Sequence, residues 1–335
     1  MRIPNFIKKG DTIAVTAPSD GLKEVTDHIR LDNAKNNLME RGYKVIETRN
    51  VRNSVKGRSA AADIRAKEFT ELMENEDISY IVSACGGDFL MEILEFINFE
   101  RIKKNPKWIQ GYSDNTGLLF SITTICDIPT VYSGNIGDYG MENLHKAVEN
   151  NLDILEGKLV TQKNFEFYEA AFTKKETGLE SYNLTESVKY RLIGGEEAKF
   201  SGMLLGGCLD VLINLCGTKY DKVRDFLKRN SKNGIIWYLE SFALSSARLE
   251  TALWQLKEAG WFEGVSGFLF GRPCFFNEEY ETSFEEAVNN ALSDFNVPII
   301  TGCDIGHRPP RLTVINGFEA EISFKSDEFL LVYVN

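Results

Sequence analysis

The chain has 335 residues, 43% of them hydrophobic, and carries 49 acidic against 38 basic side chains for a net charge of −11. That length and balance predict an ordinary core divided over two domains, and they exclude a general nucleic-acid binder, which needs a basic stripe. No stretch approaches the roughly 18 uninterrupted apolar residues that span a bilayer, and residues 1–11 hold Arg and Lys without an apolar run. An uncleaved, cytoplasmic protein with no membrane contact is expected.

In chain order, residues 12–17 read as a strand, 24–41 as an amphipathic helix closed by Gly42, 43–47 as a second strand and 60–75 as a second helix. Residues 79–84 read as a third strand, with a helix after Gly86-Gly87. Residues 107–110 form a short buried strand, and a helix with Leu118, Leu119 and Ile122 on its apolar side follows Ser113. Strands alternating with long helices over 1–150 predict an α/β domain, a doubly wound, mostly parallel sheet with helices on both faces. In such sheets ligands gather at the carboxyl ends of the strands.

Over 151–200 the periodicity fades into a charged stretch dotted with Phe165, Phe167, Tyr168, Phe172, Tyr182 and Tyr190, an extended loop or linker. A C-terminal β-rich α/β domain is expected over 201–335. In it Gly206-Gly207 opens a helix over 208–216, and a strand from 235 ends at Glu240. A helix spans 246–259, strands span 265–270 and 297–301, a hairpin over 312–324 turns at Asn316-Gly317, and the last strand is 328–334.

The most informative stretch is Gly111-Tyr112-Ser113-Asp114. It pins a serine on a sharp strand-to-helix turn, the mechanical idea of a nucleophile elbow without the usual Gly-x-Ser-x-Gly spelling. The bland alternative is a serine that only caps the helix. A serine nucleophile needs a base, and the chain has three histidines. His28 lies in the first helix and His145 in a charged segment, whereas His307 sits in a Gly- and Pro-rich loop after a strand, where catalytic side chains tend to be placed. Glu240, an acid closing an otherwise apolar strand, is the best orienting partner, with Asp304 and Asp114 as competitors. The Asp114 amide supplies one oxyanion donor, and the Gly86-Gly87-Asp88 turn the other.

Cys85 after the third strand offers a rival nucleophile of glutamine-amidotransferase type. No Cys-x-x-Cys occurs among the six cysteines, and buried free thiols in a reducing compartment are expected instead. The histidines have no metal-ligand spacing, so no metal site is expected. Arg272, Arg308 and Arg311 are candidate readers of a substrate carboxylate by charge and loop position. A non-catalytic small-ligand binder on the same scaffold is the alternative function.

Together, Gly111-Tyr112-Ser113-Asp114, Gly86-Gly87-Asp88, Gly206-Gly207-Cys208-Leu209-Asp210, Trp237-Tyr238-Leu239-Glu240 and Gly306-His307 resemble the serine LD-carboxypeptidases. That family includes murein tetrapeptide LD-carboxypeptidases and the microcin C7 self-immunity hydrolases. The resemblance covers nearly the whole chain. It implies a Ser113–Glu240–His307 triad, an acyl-enzyme, a β-rich second domain with the site at the domain interface, a cytoplasmic homodimer, and no metal or organic cofactor. One branch removes a terminal D-alanine from the L-centre of murein tetrapeptides. The other cuts the amide joining a peptidyl or aminoacyl group to a nucleotide. The extended 151–200 segment looks more like the immunity branch. The chain departs from that branch in two places: its tryptophans, Trp108, Trp237, Trp254 and Trp261, all lie outside this segment, and Phe89-Leu90-Met91 follows the Gly-Gly-Asp turn.

Overall fold

The computed structural model describes every residue except Leu159, Thr173 and Asn335. The chain divides into two units, one of Met1–Lys158 with Phe172–Asn183, the other of Leu159–Ala171 with Leu184–Asn335. The segment over 151–200 therefore belongs to both units in turn.

The first unit runs β1 (Thr12–Thr16), α1 (Val25–Glu40), β2 (Lys44–Glu47), α2 (Ala62–Glu74), β3 (Ile78–Ser83), α3 (Phe99–Ile102), β4 (Trp108–Gly111), α4 (Thr116–Cys126), β5 (Thr130–Tyr132) and α5 (Lys146–Leu155). These strands lie in the order β5-β4-β3-β1-β2, all parallel. The chain moves outward from β1 to β2, then returns to β1's other side with β3, which makes the gap between β1 and β3 the topological switch point. Local signals explain the helices. A capping box between Glu24 and Asp27 starts α1. The α2 face bearing Ala66, Phe69, Leu72 and Met73 repeats at helical spacing and is buried. The helix expected after Gly86-Gly87 is two pieces, a 3-10 turn over Leu90–Phe96 and then α3. It breaks because Asn98 caps a new start, its side chain accepting the Arg101 N–H.

The second unit runs β6 (Gln162–Lys163), β7 (Phe167–Tyr168), β8 (Glu186–Ser187), β9 (Arg191–Leu192), β10 (Glu197–Cys208), α6 (Leu209–Leu215), α7 (Val223–Asn230), β11 (Ile235–Glu240), α8 (Ser246–Glu258), β12 (Val265–Gly271), α9 (Phe284–Leu292), β13 (Ile299–Cys303), β14 (Val314–Asn316), β15 (Glu319–Lys325) and β16 (Glu328–Tyr333). Its large sheet has the order β6-β16-β15-β10-β11-β12-β13-β9. The block β10 to β13 is parallel and the flanking pairs are antiparallel. Trp237, Trp261, Phe262 and Phe268 pack its core.

Two sequence expectations change here. Gly206-Gly207 lies inside β10, just before its last residue Cys208, where a side chain at Gly206 would overlap the Tyr238 carbonyl on the neighbouring strand, and the helix expected over 208–216 follows as α6. Asn316-Gly317 does turn the chain, with Gly317 at φ +86° and the Phe318 N–H on the Ile315 carbonyl (3.2 Å). The hairpin is one strand further on: β15 pairs β16 through Ser326-Asp327, whose φ values of +51° and +67° suit a two-residue loop. Asn316 is instead a core residue, its Oδ1 accepting the Gly206 N–H (2.9 Å) and the Tyr238 hydroxyl (2.8 Å).

Candidate active site

In the first unit, β4 is buried along its length, and Tyr112 extends it (φ −151°, ψ −177°). Ser113 then takes φ +64°, a left-handed conformation that costs a non-glycine residue roughly 1–2 kcal/mol. From there the chain enters a 3-10 turn over Ser113–Asn115 and then α4. The strain is held from two sides. The Ser113 N–H donates to the Tyr132 hydroxyl (3.2 Å) at the end of β5. The Asn115 amide donates to the Tyr112 carbonyl (3.1 Å) and the Cys85 carbonyl (2.9 Å), tying the elbow to the turn after β3.

That turn carries Gly86 and Gly87. A Cβ on Gly86 would lie 2.9 Å from Ser113 Oγ and 3.7 Å from the Asp114 nitrogen. Only glycine lets this backbone come so close to the hydroxyl. Gly87, at φ +155°, backs onto Ser19, whose Oγ a side chain would overlap. Gly86, Gly87, Ser113 and Asp114 are thus brought together, at the carboxyl ends of β3 and β4. The Asp114 carboxylate is buried and turned away to accept the Ser19 hydroxyl and the Leu90 N–H (2.8 Å). Burial pushes its carboxyl above the ordinary range. Cys85 is spent in packing: its thiol donates to the Asp20 carbonyl (3.1 Å), and burial pushes it up to about 12. A half-buried thiol engaged with a backbone carbonyl and pushed above its ordinary pKa is a poor nucleophile, which weighs against the amidotransferase alternative.

The second unit assembles the other two residues at the carboxyl ends of its parallel strands. Glu240 closes β11 and is 1% exposed. Its Oε2 lies 2.9 Å from His307 Nδ1. A carboxylate can only accept, so Nδ1 carries the hydrogen and Nε2 is the basic nitrogen. Glycines make room for this pair. At Gly271, ending β12, a Cβ would stand 2.8 Å from Glu240 Cβ, and at Gly306 (φ +98°) it would stand 2.6 Å from Glu240 Oε2. The Phe242 ring packs on the His307 ring with centroids 4.6 Å apart. The Asp210 carboxylate at the start of α6 fixes that loop by accepting the Phe242 N–H (2.9 Å) and Ala243 N–H (3.1 Å).

The competitors fall into other roles. Asp304 does not meet His307 through its carboxylate. It pairs with Arg272 Nη1 (2.7 Å) and accepts the Phe165 N–H (2.9 Å) and Tyr190 hydroxyl (3.0 Å), anchoring both ends of the aromatic segment. Burial pushes the Asp304 carboxyl up, against the pull of Arg272. Arg272 also donates to the Gly302 and Arg308 carbonyls and lies over the Tyr168 ring. Arg308 and Arg311 donate to the Cys274 and Gly306 carbonyls. All three arginines therefore use donors to build the His307 loop. His28 bonds the Leu22 carbonyl and His145 caps α5. Tyr132 and Asn115 carry no direct signal in the sequence, because each acts through tertiary contacts, and Asp210 stands in the Gly206–Asp210 motif without any sign of the loop it anchors. Phe242, two residues past Glu240, could have been noted from its position.

Residues 13–133 match the LD-carboxypeptidase N-terminal domain, and residues 201–322 match the LD-carboxypeptidase C-terminal domain. The chain belongs to the LD-carboxypeptidase family. Its Ser113 turn falls in the first LD-carboxypeptidase match and the Glu240–His307 pair in the second. The microcin C7 self-immunity protein MccF of Escherichia coli is 27% identical over 336 residues, covering 94% of this chain and 91% of that protein. A probable murein peptide carboxypeptidase of Bacillus subtilis (strain 168) is 26% identical over 324 residues, covering 96% and 91%. MccF in complex with glutamyl sulfamoyl guanosine matches with a TM-score of 0.85 at 26% identity, over 99% of this chain and 98% of that one. The expected class, a parallel α/β N-terminal region with a β-rich C-terminal domain, is the fold observed. Among the described residues, no helix is long and apolar enough to cross a membrane, and no group of three His, Cys, Asp or Glu side chains is placed to hold a metal ion.

Proposed function

We propose that the protein is a serine-type amide hydrolase in which Ser113 is the nucleophile, His307 the base and Glu240 the residue that orients His307. The observation that carries this reading is the buried 2.9 Å Glu240–His307 contact, in a chain that also sets Ser113 on a strained, glycine-backed turn. Glu240 fixes the imidazole tautomer and stabilises the imidazolium, the task of the acid in such triads. His307 Nε2 takes the Ser113 proton as Oγ attacks the acyl carbonyl. The oxyanion is met by the Asp114 amide and an amide of the Gly86-Gly87 turn. His307 then protonates the departing amine, and water, activated by the same nitrogen, releases the acyl group from Ser113.

The acyl donor is a small peptide or peptide conjugate, either a murein tetrapeptide or a peptidyl or aminoacyl nucleotide. Both arms have support among the relatives, one named for murein peptides and one solved with glutamyl sulfamoyl guanosine. A fluorophosphonate tests the nucleophile. Intact mass should show one adduct, peptide mapping should place it on Ser113, and Ser113→Ala should take up none. Labelling that persists in Ser113→Ala would overturn the assignment.

A further inference from the structure

Arg65 is a buried cation that the mechanism above does not use. It projects from α2, is 0% exposed, and its Nε meets no hydrogen-bond partner. Burying a guanidinium is costly, and an apolar side chain of similar volume would fill the same space. Desolvation pulls its pKa down, a sign that burial is not fully compensated. What the fork gains is three carbonyls on two loops. Nη1 donates to Pro18 (2.8 Å) and Ser19 (3.4 Å) after β1 and to Phe89 (3.2 Å) after β3, while Nη2 pairs with Glu92 (2.7 Å).

These are the two loops that flank the switch point, and Asp114 grips them from the opposite side. Its carboxylate accepts the Ser19 hydroxyl and the Leu90 N–H. In a trans peptide the C=O and N–H point in opposite directions. The Phe89–Leu90 peptide is thus held at both ends, its carbonyl by Arg65 and its amide by Asp114. The Ser19–Asp20 peptide behaves in the same way. Arg65 takes the Ser19 carbonyl, and the Asp20 N–H donates to the Gly86 carbonyl (3.3 Å). Fixing the Gly86 carbonyl fixes the direction of the Gly87 N–H in the same peptide plane.

We propose that Arg65 and the Asp114 carboxylate form a clamp that aims the Gly87 amide beside Ser113, which makes them positioning residues for the oxyanion site. This rests on the serine-hydrolase reading. Arg65 touches no reacting atom; it acts through Ser19, Asp20 and Gly86. The clamp matters because Gly86 stands so near Ser113 Oγ that small shifts of the turn change the donor geometry.

The test is the rate of fluorophosphonate labelling of the full chain, in which Ser113 Oγ attacks phosphorus and displaces fluoride as the phosphoryl oxygen moves into the oxyanion site. Arg65→Met should lower kinact on the order of 10- to 100-fold, with KI changed less than about threefold, since a mis-aimed oxyanion donor costs the transition state and not ground-state binding. Arg65→Lys, which keeps the charge but not the fork, should recover only part of the loss. Ser19→Ala removes one arm without burying or unburying a charge, and it decides the matter should Arg65→Met fail to fold; its kinact should fall about tenfold. Wild-type labelling rates in a folded Arg65→Met, or in Ser19→Ala when the former is unfolded, would overturn the clamp while leaving the nucleophile intact. Absence of Ser113 labelling in the wild type would instead remove the serine reading itself.

Discussion

Gly306→Ala perturbs the Glu240–His307 pair by the smallest possible change. Gly306 has φ +98°, and a Cβ there would stand 2.6 Å from Glu240 Oε2 and 2.7 Å from its Cβ and Cδ. Two penalties follow, a left-handed alanine and an overpacked contact with a side chain that has no free space, together about 2–5 kcal/mol. Gly264→Ala separates them. Gly264 has φ +74°, but its Cβ would meet only Ser231, at an ordinary 3.5 Å, so it carries the backbone cost alone, about 1–2 kcal/mol. Chemical denaturation followed by the fluorescence of the buried Trp237 and Trp261 measures the difference. Turnover per folded molecule should drop on the order of 10- to 100-fold in Gly306→Ala, because the new methyl displaces the acid from His307, and stay at the wild-type level in Gly264→Ala. Equal stability of the two variants, or wild-type turnover in Gly306→Ala, would refute this reasoning.

Gly86→Ala places a methyl 2.9 Å from Ser113 Oγ without needing a left-handed backbone, so activity should fall on the order of 100-fold while the denaturation midpoint moves little. Asp304→Asn leaves Arg272 buried without its counter-ion, which should cost about 3 kcal/mol and speed hydrogen exchange at the Phe165 and Tyr190 anchors before it affects β10–β13. Glu47 is held below its ordinary value of 4.5, chiefly by hydrogen bonding to Arg52 and further by Lys35. A carboxylate with a lowered folded pKa stabilises the fold above its unfolded value and loses that contribution as pH falls through the folded value. Glu47→Gln should therefore flatten the stability profile below pH 4.5 and lower the plateau above it, as measured by denaturation across pH.

The fold was legible where periodicity is strong. The alternation of apolar strands with helices such as α1 and α2 gave the parallel first unit, and the apolar run Ile235–Leu239 ending in an acid marked β11. The misreadings share a cause, since in each case a local signal served a tertiary purpose. Gly206 looks like a turn because of its freedom, yet it is needed for close approach between two strands. Asn316-Gly317 has a hairpin's spelling, yet the Asn is a buried acceptor and the true hairpin closes through Ser326-Asp327, which has no glycine. At the site, scarcity helped: with three histidines, loop context alone singled out His307. Asp304 is close to His307 in sequence, but sequence proximity says nothing about where its carboxylate points, and Arg272 claims it. The contacts proposed to aim the Gly87 amide were invisible because Arg65 reaches both loops through backbone carbonyls, which leave no mark on composition.

The most direct measurement is a side-by-side assay of wild type and Ser113→Ala with a murein tetrapeptide and with glutamyl sulfamoyl guanosine, following release of the terminal amino acid or of the sulfamoyl nucleoside by mass spectrometry. Wild type should cleave the amide of one of them, and Ser113→Ala, folded to the same extent, should cleave neither. Equal cleavage by the two proteins would contradict a serine mechanism, and no cleavage of either compound by wild type would contradict the amide-hydrolase reading.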